Sequence, residues 1–389
     1  MSIFILIIGV LLFICLVIVH EAGHFLVARR NGVEAEEFGI FFPPRIYKHK
    51  TKKGWIFSFN ALPLGGFVKL KGEHDADSGK GSYGAASTWA KTKIMAAGVL
   101  MNLFTGVILL MILAWIGMPQ IIPNQFNVSG ASHISQQEVL VTSIQPHSPA
   151  QSIDLSAENQ IVAIGKPGHL QKVNTITDMQ RMTAALAGQE VELVYKNNGQ
   201  TISKDIRLQS AAVVAQSLKT NNPKGYLGVT LTALTIRQSN WWSAPIEAVG
   251  LSFQVLKLTV IGIGHALSGL GQIIAGLVTG NTKARENGQS VASSQVTGPV
   301  GIFVILKDSS VLGYQYMLFI IAIISLTLGL MNILPIPALD GGRLWLTLIS
   351  RGLGKTLSTS FEETVNAIGM FILLALIVLV TIVDVHRFF

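Results

Sequence analysis

Four long apolar runs without a charged residue dominate the hydrophobic pattern of this chain. They are residues 3–19, extended to about 28, then residues 94–117, part of 312–339, and 365–383. Each run approaches or exceeds the roughly 20 residues with which an α-helix crosses about 30 Å of hydrocarbon. The pattern therefore predicts a multi-span α-helical membrane protein with four transmembrane helices.

The apolar segment 244–282 is long enough to be a fifth span, but its polar residues favour another structure. At about 100° per residue they fall in one narrow arc, which is typical of an amphipathic helix lying in the membrane interface. These residues are Glu247, Gln254, Lys257, His265, Ser268 and Gln272. Parity agrees, because a fifth crossing would place His20 and Asp340 on opposite sides. We expect an interfacial helix, a solvent-facing His265, and a polar outer loop over residues 280–296.

Charge then gives the class of protein and its orientation. Only 13% of the 389 residues are charged and 50% are hydrophobic, whereas soluble domains are about one-quarter charged. The net charge of +8 is concentrated in loops, which indicates orientation rather than nucleic-acid binding. Lysine and arginine crowd residues 29–93 and recur at 343–355, so both loops are expected in the cytoplasm and both termini outside. The single cysteine, Cys15, excludes an internal disulfide.

Strand signals mark a cytoplasmic, membrane-associated β-hairpin in the first loop. Residues 55–59 and 67–70 alternate large and small side chains, and the turn residues Pro63-Leu64-Gly65-Gly66 lie between them. Strands separated by proline and glycine are typical of a hairpin. The hairpin is either a small cytoplasmic cap or an element that dips beside the membrane-embedded site.

Residues from about 137 to 231 have the pattern of one compact extracytoplasmic α+β module. Strands are predicted at 139–144, 160–164 and 191–195, with a turn and helix start at 148–150 and a further helix near 176–186. Thr177 is a possible N-cap of that helix, and Asn197-Asn198-Gly199 predicts a hairpin turn. Residues 225–229 close the module.

The candidate chemistry begins with His20-Glu21-Ala22-Gly23-His24 at the inner end of the first apolar run. Histidines four residues apart share one helix face, about 6 Å apart along the axis, so both can bind one zinc ion at roughly 2.0–2.1 Å. Glu21 can accept a proton from a water activated by that zinc. Such a motif arises by chance in on the order of one chain in a hundred. However, ionisable residues in a span cost roughly 2.5–3.5 kcal/mol each and need a shared partner.

A second cluster follows the third apolar run, where Asn332 precedes Pro335, Pro337 and the sequence Leu339-Asp340-Gly341. The prolines break the helix and free backbone groups that lipid alone would not satisfy. Asp340 can provide a third ligand, which leaves a fourth position of zinc open. The alternative is a helix-ending turn in which Asp340 is only an N-cap.

Together, H-E-x-x-H and N-x-x-P-x-P-x-L-D-G resemble the site-2 protease family of intramembrane zinc proteases, in particular the bacterial regulator-of-sigma-E-protease type. Further similarity lies in Gly98 with Asn102, in residues 65–68, and in residues 298–301. The outer module resembles the circularly permuted PDZ domain of that family. One such module departs from the two in the best-known Gram-negative members, so the resemblance does not extend to tandem-domain gating.

The resemblance implies one Zn²⁺ per chain, with His20, His24 and Asp340 as ligands and Glu21 as the general base. It also implies that Asn332, Gly66, Phe67 and Val68 contact the substrate, and it makes Tyr226, Leu227, Gly228 and Val229 candidates for peptide binding by the PDZ-like module.

The implied substrates are single-span membrane proteins that an upstream protease has already trimmed, such as anti-sigma factors in a stress response, and remnant signal peptides. The expected location is the bacterial cytoplasmic membrane, with the lipid bilayer as a partner and no nucleic acid. A non-catalytic adaptor that binds peptides is the alternative, although an intact Glu21 argues against it. A transporter would show repeated halves, and the sequence contains no internal repeat.

Four regions are therefore expected. Residues 1–118 carry two spans and the hairpin, 119–235 the PDZ-like domain, 236–311 the amphipathic helix and loop, and 312–389 the last two spans.

Overall fold

A computed structural model describes residues 2–157, 159–197, 199–218 and 223–388. It divides into two compact units, one formed by Met1–Leu113 with Ala244–Phe389 and the other by Ala114–Ser243. Within the described residues, the helices of the first unit are α1 (Ser2–Arg30), α2 (Thr88–Ile116), α6 (Ala244–Thr279), α7 (Thr282–Gln295), α8 (Pro299–Leu312), α9 (Tyr314–Ile333), α10 (Asp340–Gly352) and α11 (Thr359–Phe388), and its strands are β1 (Ala35–Lys50) and β2 (Ile56–Leu70).

Five of these helices are long and apolar enough to cross a membrane. They are α1, α2, α6, α9 and α11. Four correspond to the predicted spans, and α6 is the segment that the sequence analysis assigned to the interface. Length and composition alone therefore give five candidate spans where four were expected. The chain is a multi-pass membrane protein. The directions in which its helices run bear on whether four or five of them cross the membrane.

Glycine contacts show how the helices of this unit run. A Cβ atom on Gly9 would meet Met317 at the start of α9, and the His20 side chain lies near Asn332 at the end of α9, so α1 and α9 are parallel. Gly106 of α2 lies against Leu326 of α9, while Gly329 of α9 lies against the earlier residue Leu103. Helix α2 is therefore antiparallel to both.

The hairpin differs from its prediction in which segments pair. Residues 37–40 of β1 pair on one side with 56–59 and on the other with 66–69, and residues 45–50 pair with 56–60. The two segments predicted to form the hairpin are thus both parts of β2, and they flank β1 instead of pairing with each other. The real turn is at 51–55, where Thr51 N–H donates to Trp55 O. The prediction was wrong because the charges and prolines of residues 35–50 hide a strand.

Two further segments differ from their predictions. The polar loop expected at 280–296 is mostly helix α7, whose N-cap Asn281 accepts a hydrogen bond from Ala284 N–H. Helix α7 folds back on α6, since Gly288 lies against Gly269 and Ile273. Asp340 opens helix α10, which the sequence analysis did not assign. Helix α7 carries little periodic signal of its own, and its packing against α6 stabilises it.

The second unit, Ala114–Ser243, is an α+β module. Its strands are β3 (Met118–Pro119), β4 (Ser132–Ile144), β5 (Gln160–Lys166), β6 (His169–Lys172), β7 (Glu190–Asn197), β8 (Gln200–Arg207) and β9 (Val229–Ser239), and its helices are α3 (Pro149–Ser152), α4 (Ile176–Ala185) and α5 (Ala211–Ser217). The sheet order is β3-β9-β4-β5-β7-β8, with β6 beside β5. Val139, Ile161, Val191 and Leu193 are fully buried in its core.

Local details of this unit follow the predictions with one correction. The N-cap of α4 is Thr175, whose side chain accepts a hydrogen bond from Asp178 N–H, and not Thr177. Strands β7 and β8 form a hairpin in which Asn197 pairs with Gln200. Of its predicted turn residues, Asn198 lies outside the described residues, and Gly199 has a φ of +84°.

Candidate metal centre

Three residues that are far apart in sequence meet at one point in the first unit. His20 Nε2 lies 2.9 Å from Asp340 Oδ2, and His24 Nε2 lies 3.0 Å from the same oxygen. The two histidine nitrogens are 3.2 Å apart. Both histidines are buried, and the Asp340 side chain is 24% exposed. The structure therefore assembles two imidazoles and a carboxylate that could hold a metal ion.

The turn between α9 and α10 brings Asp340 to the histidines. Ala338 adopts a left-handed φ of +72° in this turn. A Cβ atom on Gly341 would collide with the backbone of Ile333 and Leu334, and one on Gly342 would collide with Ile336. Asp340 is the first residue of α10, after the N-cap Leu339. The alternative in which Asp340 itself caps the helix is therefore wrong.

The spacing and chemistry of these donors fit zinc. Two ligand atoms at 2.0–2.1 Å from a tetrahedral zinc ion are about 3.3 Å apart, and the three donor atoms here are separated by 2.9–3.2 Å. Two histidines and one carboxylate are also a common ligand set of catalytic zinc, which leaves a fourth position for water or substrate.

Groups on helix α2 orient both histidine rings through their Nδ1 atoms. His24 Nδ1 lies 2.8 Å from Ile94 O, to which it can only donate, so His24 Nε2 is left with a free lone pair. His20 Nδ1 lies 3.2 Å from the Asn102 amide nitrogen, while Asn102 Oδ1 is buried without a hydrogen-bond partner. A half-turn of that amide lets Oδ1 accept from His20 Nδ1–H. Both histidines then present Nε2 to a metal.

Two glycines allow this close approach of α1 and α2. A Cβ atom on Gly98 would come within 2.6–2.7 Å of His20 Cε1 and Nε2, and a Cβ on Gly23 would lie 2.7 Å from Ala97 O. Sequence reasoning noted Gly98 and Asn102 only as points of family resemblance, and it missed Ile94. A main-chain acceptor has no sequence signal, and a glycine shows its purpose only when its neighbour is known.

The residues that were predicted to contact the substrate lie at different distances from this centre. Gly66 of β2 adjoins Glu21, because its Cβ atom would lie 3.1 Å from Glu21 Cγ. The backbone N–H of Val68 lies near the Glu21 carboxylate, and the Asn332 amide nitrogen is 3.5 Å from His20 Nε2. Phe67 points to the other face of the sheet, where its ring covers Gly39 and stacks on Phe42. The structure thus brings Asn332, Gly66 and Val68 to the centre, and it places the Phe67 ring away from it.

The candidate peptide-binding residues belong to the second unit. Tyr226, Leu227 and Gly228 each accept a backbone hydrogen bond through the carbonyl oxygen, from Gln209, Ala150 and Gln145 respectively. Leu227 is buried, Gly228 has a left-handed φ of +76°, and Val229 begins β9. This short segment is a fixed loop leading into a strand.

Comparison with known proteins covers almost the whole chain. A family model described as peptidase family M50 matches residues 8–376. A protein of Clostridium acetobutylicum named as a zinc metalloprotease is 31% identical, over 99% of this chain and 98% of its own length. Proteins with the same description from Clostridium perfringens and Fusobacterium nucleatum are 28% and 26% identical, over at least 96% of each chain. The match of the family model from residue 8 to residue 376 shows that the chain belongs to peptidase family M50.

Proposed function

We propose that this membrane metalloprotease cuts single-span membrane proteins inside the membrane, as a step of regulated intramembrane proteolysis. The observation that supports this most directly is the place of the metal centre. His20, Glu21 and His24 lie on α1, at the end of an apolar run and about 27 Å along the helix axis from Ser2. A peptide bond at this centre would lie within a helix bundle at membrane depth, and not in a soluble domain.

The residues of the centre divide the chemistry between them. Zinc held by His20, His24 and Asp340 would act as a Lewis acid and make water a better nucleophile near neutral pH. Glu21 takes the proton of the attacking water and passes it to the leaving amide nitrogen. The Asn332 amide can donate to the carbonyl oxygen of the substrate as negative charge develops there.

Strand β2 provides a way to hold an unwound substrate. A spanning helix has satisfied its own backbone hydrogen bonds, so its scissile carbonyl is hidden until the helix opens locally. The segment 66–69 pairs with β1 on one side only among the described residues, and Gly66 of this segment lies against Glu21. An unwound substrate segment can add to the other edge of 66–69 as a further strand. Weak helix formers near the cut would favour this step.

The helix directions support four spans, and the basic loops at residues 29–93 and 343–355 support termini on the outer side. Because α1 and α9 run in the same direction and α2 runs in the opposite one, the chain between α2 and α9 must cross an even number of times or not at all. If α6 crossed, another element would have to cross back. Helix α8 has 14 residues, about 21 Å, which is too short, and α7 of the same length is polar. We therefore place α6 on the outer side of a bacterial cytoplasmic membrane.

The proposed partners are membrane proteins in the same bilayer as the enzyme. Single-span substrates already trimmed by an upstream protease reach the centre through the bilayer, and anti-sigma factors and remnant signal peptides fit this description. The second unit, Ala114–Ser243, we propose to be a PDZ-like domain on the outer side, where a newly trimmed end of a substrate would lie.

Cleavage by a Glu21→Gln variant tests the proposed function. The enzyme would be reconstituted in lipid vesicles with a single-span substrate that lacks its outer domain. Loss of the general base should lower the cleavage rate by about 10²–10⁴-fold while the zinc content stays at one ion per chain. Glu36→Gln is the matched control, since Glu36 pairs with Lys69 at an exposed position. Wild-type cleavage by Glu21→Gln would refute the proposal.

A further inference from the structure

A buried charged cluster lies at the end of α10 that is far from the metal centre, and it takes no part in the chemistry described above. Asp75, in the loop that follows β2, accepts hydrogen bonds from Lys91 Nζ, from Arg351 Nη2 at 2.9 Å and from Leu357 N–H at 3.1 Å. Its own N–H donates to Glu362 Oε2 at 2.9 Å. The side chains of Asp75 and Lys91 are each only 1% exposed. The Asp75 carboxylate therefore holds three other parts of the chain, and the Asp75 main-chain N–H contacts a fourth.

Three parts of the chain that meet in this cluster also reach the metal centre. Lys91 lies one helical turn before Ile94, whose carbonyl oxygen orients His24. Arg351 is on α10, the helix that Asp340 opens. Asp75 itself is five residues beyond Leu70, the last residue of β2, whose earlier residues face Glu21. The cluster thus connects a histidine-orienting segment, the carboxylate ligand and the strand beside the general base.

Other contacts along the same loop run between the same elements. Glu73 accepts a hydrogen bond from Leu70 N–H at 2.8 Å, and its other oxygen lies 3.7 Å from Arg343, in the first turn of α10. Leu70, Tyr83, Ile94 and Leu344 share a buried apolar cluster with residues of α1. The loop that follows β2 is therefore attached to α10 near both ends of that helix, at Arg343 and at Arg351.

We infer that Asp75 is a positioning residue for the metal centre, holding α10, and with it Asp340, at a fixed distance from the two histidines. Helix α10 has only 13 residues, and its first turn follows a proline-rich segment without regular structure. Without an anchor at the Arg351 end, its first residue would have more freedom to move. A buried charge pair that merely stabilised the fold could be replaced by apolar residues. Here the Asp75 carboxylate also fixes the orientation of α10, because its two oxygens accept hydrogen bonds from donors on different elements.

The inference rests on the proposed metal site but not on the choice of substrate. Metal binding can therefore test it without any measurement of cleavage. Two variants weaken the anchor in different ways. Asp75→Asn removes the charge that all the donors share, and Arg351→Gln keeps the Asp75–Lys91 pair and releases α10 alone. Lys71→Met is the matched control, since Lys71 is in the same loop and forms an exposed pair with Glu34.

The full-length variants would be purified in detergent and checked for folding by circular dichroism. Zinc affinity would be measured against a chromophoric chelator, and the visible absorption spectrum of Co²⁺ bound in place of zinc would be recorded. Groups that hydrogen-bond metal ligands change metal affinity by about 10–100-fold. Because Asp75 acts on Asp340 only through α10, we expect the lower end, about 10-fold weaker binding, for Asp75→Asn and Arg351→Gln, with altered Co²⁺ spectra. Lys71→Met should match wild type in both.

A purely structural role would lower the melting temperature and leave the Co²⁺ spectrum of the folded protein unchanged. Wild-type zinc affinity and an unchanged spectrum in the folded Arg351→Gln protein would overturn the inference, whether or not Asp75→Asn folds. Failure of the proposed function would show itself differently, as normal metal binding in all variants combined with undiminished cleavage by Glu21→Gln.

Discussion

Gly98 allows α2 to lie close to the two histidines, and the variant Gly98→Ala tests this role. The Cβ atom of Gly98→Ala would enter the space of His20 and His24. Overpacking of this kind costs about 1–3 kcal/mol, and here it would push ligand atoms apart. We expect weaker zinc binding, measured by chelator competition, and a lower melting temperature.

Gly264→Ala is the control for Gly98→Ala. Gly264 is also inside a helix, and a Cβ atom there meets nothing within 4 Å. Alanine should stabilise such an exposed helical site by about 0.5–1 kcal/mol and leave zinc binding unchanged. Equal behaviour of the two variants would show that the close contact at Gly98 does not shape the centre.

Asp75 should also give the protein a pH-dependent stability. Burial alone would raise the pKa of Asp75, but hydrogen bonds from Lys91, Arg351 and Leu357 outweigh it and hold the pKa below its ordinary value of 3.8. Because the pKa is lower in the folded state, ionised Asp75 stabilises the fold above the ordinary value. This contribution is lost as the pH falls through the folded-state value.

The melting temperatures of the zinc-free wild type and Asp75→Asn, recorded from about pH 7 to about pH 3, give the measurement. Their difference should be constant above about pH 5 and shrink as the pH falls below the ordinary carboxyl pKa. A difference that grows towards acid would mean that the pKa of Asp75 is raised and not lowered. The zinc-free form is needed because metal binding itself depends on pH.

Sequence alone reached the chemistry-bearing residues of the centre because their spacing is itself geometric. His20 and His24 are one helical turn apart, and a carboxylate after a broken helix needs a partner. The groups that orient them left no comparable signal. Every residue has a main-chain carbonyl like that of Ile94, so the sequence does not single it out. The hydrogen bond from Arg351 to Asp75 joins residues that are 276 positions apart. Such contacts depend on the tertiary packing of several elements at once.

At the scale of elements, helix α6 is the one whose place in the membrane most needs a test. Large apolar side chains recur along one exposed side at intervals of three, four and seven residues: Ile246, Val249, Phe253, Val260, Leu267, Leu270, Ile274 and Leu277. This row is about 46 Å long, more than the roughly 30 Å of hydrocarbon. A helix lying in the interface would cover the whole row with lipid.

Cysteine labelling decides between an interfacial and a spanning α6. In a Cys15→Ser background, single cysteines replace Asn240 before α6, Thr279 at its end and Ser78 in the first loop, all at exposed positions. We expect Asn240→Cys and Thr279→Cys to react with a membrane-impermeant reagent from the outside, and Ser78→Cys only from the cytoplasm. Reaction of Thr279→Cys from the same side as Ser78→Cys would show that α6 crosses.

The elements that sequence reasoning missed share one physical property. Long apolar helices and alternating strands carry a periodic signal in a single segment, and these were found. Strand residues 35–50 contain Pro43, Pro44 and three lysine or arginine residues, and they are strand because they pair with β2. Helix α7 is polar and is held against α6 through Gly288. In both cases the segment is stabilised by contacts with the neighbouring element of the chain, and its own residues do not reveal those contacts.

At the scale of the whole molecule, the metal centre and the candidate peptide site belong to different compact units. Every residue named at the centre lies in Met1–Leu113 or Ala244–Phe389, and Tyr226–Val229 lie in Ala114–Ser243. The expected domain limits of 119–235 fall inside that second unit. Damage confined to the second unit should therefore leave metal binding intact and affect only the recognition of substrates.

A substitution at Gly228 makes this division testable. The early part of β9 pairs with β4 on one side, and on the other side β3 reaches only Ile236 and Arg237 among the described residues. The open edge at residues 229–234 can accept the new end of a trimmed substrate as an added strand. Valine at Gly228 would be strained at a φ of +76°, and its Cβ would collide with Ser148.

We expect Gly228→Val to bind peptides with free carboxyl termini at least about 10-fold more weakly than wild type while retaining wild-type zinc affinity. Fluorescence anisotropy with a labelled peptide pool ending in valine or alanine, and the same pool with amidated ends, would measure binding to the full-length protein. Gly168→Val is the control, because Gly168 has a similar φ of +81° but open space around its Cβ position. If Gly228→Val bound the pool as well as Gly168→Val does, the loop before β9 would not be the peptide site. If Gly228→Val bound zinc more weakly instead, a change in the second unit would affect metal binding in the first, and the prediction would be wrong.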